Sequence, residues 1–444
     1  MTSVPAKAPR SFLQGDTMES INLIKILLFA MMGGYATFLA NRSIAVYHDG
    51  LRPIMPEFIN GNMSRKELAG ISFAISIGFI TGFAMPITLA TGVIVIHIVL
   101  LTADIIGVSF NNTKLAVLLG TIYGALVTVA LDGIIKGFAY LPVNFLDALA
   151  AVGDPIIYAF VAFPAIAVGY QFGKKAGLIT IIFSFLGRVV IERINPLTVA
   201  GNEISLSPEG IAMLVGMICL LFFASRDKSR SEEIEHSMFD DNIKRIRKNI
   251  FYLMPMAALI AITAHYHWLA GEPIAAALVG KGSMTSAAIV AIVQALAFMP
   301  LIITTAMISG VYGTNGWCDW FLGLGYLAPN PLVAGILGAS AMGIEVKSLS
   351  RIGRAMNRFP ALKMSGDNIR TSMTQILEIA LLVGGVNAGN QIWAGTGMFV
   401  VVSLYILNEI SGRPVMKLAA GPIAAIIVGV LANIFAVLGL HIVA

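Results

Sequence analysis

The chain is dominated by apolar runs long enough to cross a bilayer, and this constrains its fold more than any other feature. The first run, Ile21–Ala40, holds about 20 residues, enough to span a ~30 Å hydrocarbon core at a rise of 1.5 Å per residue. Further runs are Leu68–Val108, Leu115–Ile135, Pro155–Gln171, Ala176–Glu192, Gly210–Ala224, Ile250–Leu269 and Thr285–Gly310, and others follow. Leu68–Val108 is too long for one crossing, and Pro86 and Gly92 divide it. The runs are continuous rather than alternating, which excludes the strand pattern of an outer-membrane barrel. Only 12% of residues are charged, against about a quarter in soluble domains. The expected fold is all-α: a polytopic integral membrane protein of roughly 12–14 transmembrane or re-entrant segments in two halves.

The polar stretches set the organisation. Residues 1–17 read as a disordered extension. Ile21–Ala40 reads as a retained helix, because the apolar part of a cleaved signal is usually shorter. The first membrane half covers 18–224. Ser225–Asn249, with seven basic and six acidic residues, is a solvated cytoplasmic connector. The second half covers 250–444, with a re-entrant hairpin expected near 311–345, where Pro329-Asn330-Pro331 blocks helix continuation. With the N-terminus outside and about 14 crossings, the basic loops at 41–67, 173–175, 225–249, 346–370 and 413–417 all fall inside. Lys347, Arg351, Arg354 and Arg358 share one helical face and suit an interfacial helix meeting lipid phosphates. The pI of about 9.1 comes from these loops and does not imply nucleic acid. Cys219 and Cys318 have neither disulfide nor metal spacing.

The polar residues inside apolar runs are the candidate site, since charge at membrane depth is costly unless it faces a partner, water or a cargo. Gly366–Gln391 starts polar, turns apolar and carries Glu378; a break is expected at Gly384-Gly385, followed by Asn387, Asn390 and Gln391. Glu378 is read as a proton or cation site or, alternatively, as a carboxyl satisfied by a neighbouring helix. Freed by the break, Asn387, Asn390 and Gln391 form one polar patch suited to a hydroxylated or amide-bearing cargo. Asn408 and Glu409 form a second cluster, in which Glu409 can instead pair with Arg413 four residues on. Asp49 and Arg52 lie in a proline-broken stretch that is either a loop or a segment dipping back into the protein, and Asn315 and Asp319 lie in the glycine-rich approach to the hairpin. Arg188 and Glu192, four apart on one face, can neutralise each other or, alternatively, take part in ion coupling. His265, His267 and Glu272 fall in an outer loop with too few ligands for a metal. No catalytic residue, metal or cofactor is expected: there is no HExxH, no nucleophile–base pair and no complete phosphate loop around Lys281.

Four motifs, HDGLRPIMP, LAPNPLVAG, GDNIRTSM and LNEISGRPVMK, occur in this order. They resemble the bacterial YhfT family of inner-membrane proteins, from about Met18 to the C-terminus. That resemblance implies a multi-pass protein of the bacterial inner membrane, in a family regarded as candidate transporters without an assigned substrate. In size and layout alone the chain is also similar to the membrane components of galactitol- and ascorbate-type sugar phosphotransferase systems, which are homodimeric elevators. This second likeness is an analogy at the level of fold. The expectation is a non-enzymatic secondary transporter for a small polar or anionic metabolite, of elevator type and dimeric, in contact with membrane lipid. The alternatives are a phosphotransferase-like component working with separate soluble proteins and, further off, an intramembrane enzyme.

Overall fold

A computed structural model describes residues 22–440, apart from 49, 139, 151, 153–154, 156–157, 160, 200–201, 205, 207, 228–235, 314–317 and 357–359. The extension at 1–17, Asp49 and Asn315 therefore lie outside the described residues. In order, the elements are α1 (Leu23–Asn41), α2 (Met55–Ile59), α3 (Arg65–Gly78), α4 (Met85–Thr91), β1 (Ile94–Val95), α5 (His97–Ser109), α6 (Thr113–Phe138), α7 (Leu146–Ala150), α8 (Phe163–Phe172), α9 (Lys174–Ile194), β2 (Leu197–Val199), β3 (Asn202–Ile204) and α10 (Pro208–Arg226). Then follow α11 (His236–Lys248), α12 (Ile250–His265), β4 (Leu269–Ala270), α13 (Pro273–Gly280), α14 (Met284–Ser309), α15 (Cys318–Leu327), α16 (Pro331–Met356), α17 (Pro360–Ile392), α18 (Thr396–Ile410) and α19 (Lys417–Val437). The fold is all-α and polytopic. Six helices among the described residues are long and apolar enough to cross a membrane, and α11 and α12 form a pair bent by 61°.

The same order of elements occurs twice. α1, a short crossing strand at Ala45, α2, the α3–α4 pair, β1, α5 and α6 correspond to α12, β4, α13, α14, a crossing strand at Tyr312, α15 and α16. Glycine brings the backbones of equivalent helix pairs together. A methyl built on Gly33 would lie 2.4 Å from the Gly120 carbonyl between α1 and α6, and one on Gly338 would lie 2.5 Å from that of Ala257 between α16 and α12. The remaining helices repeat too. α8 turns into α9 at Gly173 (φ 89°) and α17 turns into α18 through Gly395 (φ 74°), conformations that favour glycine. Close Gly169–Gly177 and Gly389–Gly397 contacts follow at the two turns, and α10 and α19 close the two sets.

Where equivalent helices touch, they run in opposite directions. Phe38 near the end of α1 meets Tyr252 near the start of α12, with ring centroids 6.0 Å apart. Val152 lies against Gly384 of α17, while Gln171 at the end of α8 bonds to Ala361 and Ser365 at the start of α17. Each repeat lends strands to the other. Ala45 pairs in parallel with Tyr312, and β1 in parallel with β4. These pairings satisfy backbone groups that the interrupted helices leave open, as membrane interiors require: Val46 N–H donates to Tyr312 O (3.0 Å) and Ile96 N–H to Ala270 O (2.8 Å).

Three segments differ from expectation. The described part of the connector is a helix, α11, with Ile243 and Ile246 buried. Asn242 Nδ2 donates to Met307 O and Arg245 Nη2 to Ser43 O, so α11 caps the ends of α14 and α1 instead of standing free in water. Near 311–345 the turn does fall at Ala328–Asn330, between α15 and α16. Its first arm is the 10-residue α15, but its second is the 26-residue α16. The basic stretch begins as a continuation of α16, not as a separate helix, because Val346 and Leu349 stay in its buried face.

Candidate functional site

Five charged side chains are buried among the described residues: Arg52, Asp104, Glu272, Asp319 and Glu345. All five meet the region where the two strand pairs cross. Arg52 is wholly buried; its Nη1 donates to Val46 O at 3.3 Å, and its guanidinium lies so close to Gly313 that a methyl there would be 2.1 Å from it. Tyr312 donates its hydroxyl to Glu345 from α16. Asp104 projects from α5, and its Oδ2 accepts the amides of Tyr47 (2.7 Å) and His48 (2.8 Å), just past the first crossing strand. The His48 Nδ1 accepts from Gly50 N (3.0 Å), so its Nε2 carries the proton and donates to Ile75 O (3.0 Å), which makes the ring a neutral tautomer. His97 stacks on Phe79 and lies edge-on to Phe83, both in the wide π-type turn Phe79–Ala84 that joins α3 to α4.

The second repeat places Asp319 and Glu272 at the equivalent point. Glu272 is the N-cap of α13: its carboxylate accepts from Ile274 N (2.8 Å) and Ala275 N. Asp319 abuts Gly271, where a methyl would sit 1.9 Å from its Oδ1. Tyr326 Oη donates to Leu269 O (2.8 Å) and closes this side of the crossing. Glu272 is therefore not an outer-loop residue: the β1–β4 pairing draws it inward. The signal was present, a Glu-Pro step before an apolar octet, which is a helix start. Asp104 also had a signal, as a lone acid inside an apolar run.

The matched family profile covers residues 25–441 and describes the family as "YhfT: Protein of unknown function". The chain belongs to the YhfT family. "Uncharacterized protein YhfT" of Escherichia coli (strain K12) is 37% identical over 437 residues, which is 94% of this chain and 99% of that protein. No solved structure matches the chain.

In this YhfT-family chain the other sequence candidates are scattered. The expected break at Gly384-Gly385 is absent, and α17 is one helix of 33 residues. The two glycines permit close packing instead: methyls on them would each lie 2.5 Å from backbone, of Val152 and Gly421 respectively. Without the break, Asn387 and Gln391 face outward at the end of α17, while Asn390 accepts from Gly395 N (2.9 Å) and caps the following turn. Asn408 clamps the turn before α19 through both the N–H and the C=O of Val415. Glu409 pairs with Arg413 at 2.9 Å, and Arg188 with both Glu192 and Glu209. Glu378 faces Lys417 at 3.7 Å, each about a quarter exposed. Such a pair contributes little, so Glu378→Gln is expected to change stability by less than about 1 kcal/mol in denaturant unfolding. A larger loss would show that Glu378 holds more than Lys417. Of the sequence candidates, Arg52 and Asp319 are the ones the fold gathers at the crossing.

Proposed function

We propose that this protein is a secondary transporter of the bacterial inner membrane for a small polar or anionic metabolite, and not an enzyme. The observation that carries this reading is the convergence of every buried charged side chain, among the described residues, on the crossing of two oppositely running repeats. Repeats of this kind recur in transporters, with substrate groups placed at interrupted helices between them. Arg52, the buried cation of the set, supplies the anionic option. In an elevator cycle the crossing helices α1, α5, α6, α12, α15 and α16 move against α8–α10 and α17–α19. The outward apolar face of α9, with Leu178, Ile182, Phe185 and Val189, meets lipid or a second copy in a homodimer.

The test is reconstitution of the full chain in proteoliposomes offered a pool of small polar metabolites, with the retained compounds identified by mass spectrometry. The expected result is saturable uptake of one chemical class, reduced about tenfold by Glu345→Gln, the equivalent of one lost buried hydrogen bond. Retention no greater than in protein-free vesicles would end the reading. Uptake without soluble partners or phosphoenolpyruvate would count against the phosphotransferase alternative.

A further inference from the structure

We infer that Asp319 holds an exchangeable proton beside the amide-bonded carboxyl of Glu272, and that this proton is the coupling species of the transport cycle. The inference rests on the transport reading and deepens it.

The two carboxyls are buried within reach of each other's charge. Their surroundings assign them different states. Burial works against a charge on Glu272, but two amide donors at the start of α13 and the helix dipole oppose that, so of the two carboxyls Glu272 is the more readily ionised. Asp319, in the first turn of α15, also meets a helix dipole, but it lacks the amide bonds: no hydrogen bond reaches its Oδ1 among the described residues. A second negative charge there would be desolvated and next to a like charge, and both effects favour the protonated form. Besides Glu272, the titratable group that interacts with Asp319 is Tyr326 on its own helix, whose hydroxyl proton is already given to Leu269 O. The other elements packed on α15, namely α12, α14 and α16, bring no charged group into interaction with it among the described residues. Nor, among those residues, does a third His, Cys, Asp or Glu join the pair to hold a metal ion.

The other repeat supplies an internal comparison. There the buried aspartate, Asp104, stands one helical turn further along α5 than Asp319 does on α15, as the matching Gly107 and Gly325 contacts show; it accepts two backbone amides, and His48 occupies the position of Glu272 with a neutral ring. At this point the first repeat thus has one acid, bonded to two amides. The second has two there, with amide bonds to one of them. In the exchange step the Asp319 O–H bond breaks, its electron pair stays on the carboxylate, and the proton passes to water on the side then open. The reverse step, from water on the opposite side, restores the acid.

Infrared spectroscopy of the reconstituted full chain tests this across a pH series. At neutral pH a protonated-carboxyl C=O band is expected, lost in Asp319→Asn and retained in Glu272→Gln. Asp319→Glu keeps the acid and should displace the band, which covers the case in which the amide variant fails to fold. No such band in the unmodified protein, a band indifferent to both Asp319 variants, or one that vanishes in Glu272→Gln would overturn the assignment. Proteoliposome uptake separates the two readings. Uptake driven by a pH gradient and lost in Asp319→Asn supports the coupling. Uptake indifferent to both overturns the coupling and leaves transport standing. A band assigned to Asp319 with no uptake of any metabolite overturns transport, and the exchange role with it.

Discussion

Replacing Arg52 with alanine is expected to cost ~3–5 kcal/mol, read by denaturant unfolding in detergent, because it empties a fully buried site and leaves a buried carbonyl without its donor. Arg52 has no exposed surface. It lies between the first crossing strand of one repeat and the second of the other, bonded to Val46 O and pressed on Gly313, beside the Tyr312–Glu345 pair. Its loss leaves a void and takes the guanidinium donor from Val46 O. Arg52→Lys should recover only part of the loss: the charge returns, but not the flat guanidinium that fits against Gly313. A loss below about 1 kcal/mol in Arg52→Ala would show that the crossing does not depend on this side chain.

The second large effect is expected at Gly421. A methyl there would lie 2.5 Å from Leu381 O, in the contact where Gly385 also meets Gly421 backbone. Neither side is a flexible side chain, so the helices themselves must part. Gly421→Ala should cost about 1–3 kcal/mol or more through overpacking. Gly70→Ala is the matched control: it is helical and exposed, with nothing within 4 Å of the added carbon. That change should be neutral or stabilising by roughly 0.5–1 kcal/mol. Equal losses at the two positions would mean that helix contact is not what Gly421 is for.

The comparison of these glycines explains how far the sequence could be read. Apolar runs identify membrane helices because length and hydropathy are local properties, and a glycine pair in such a run marks a special position. It does not say which kind: the same residue relieves a break or admits a neighbouring backbone, and Gly384-Gly385 does the second. Arg52 and Asp319 were legible as charges in broken, glycine- or proline-rich stretches. Glu272 reads as a loop residue because its burial depends on β1, a strand far away in the chain. Strands of two residues have no periodicity to detect, and pairings such as Ala45 with Tyr312 leave no local trace.

The strand exchange has a consequence for how the protein is made. When the ribosome has delivered the chain through Arg226, Ala45 and Ile94 carry hydrogen-bonding edges whose partners have not been synthesised. The edge at Ile94 must wait for Leu269, and the one at Ala45 for Tyr312. Neither product of a cut in the connector can therefore complete its own interior, whereas the two expressed together hold all the parts for reassembly.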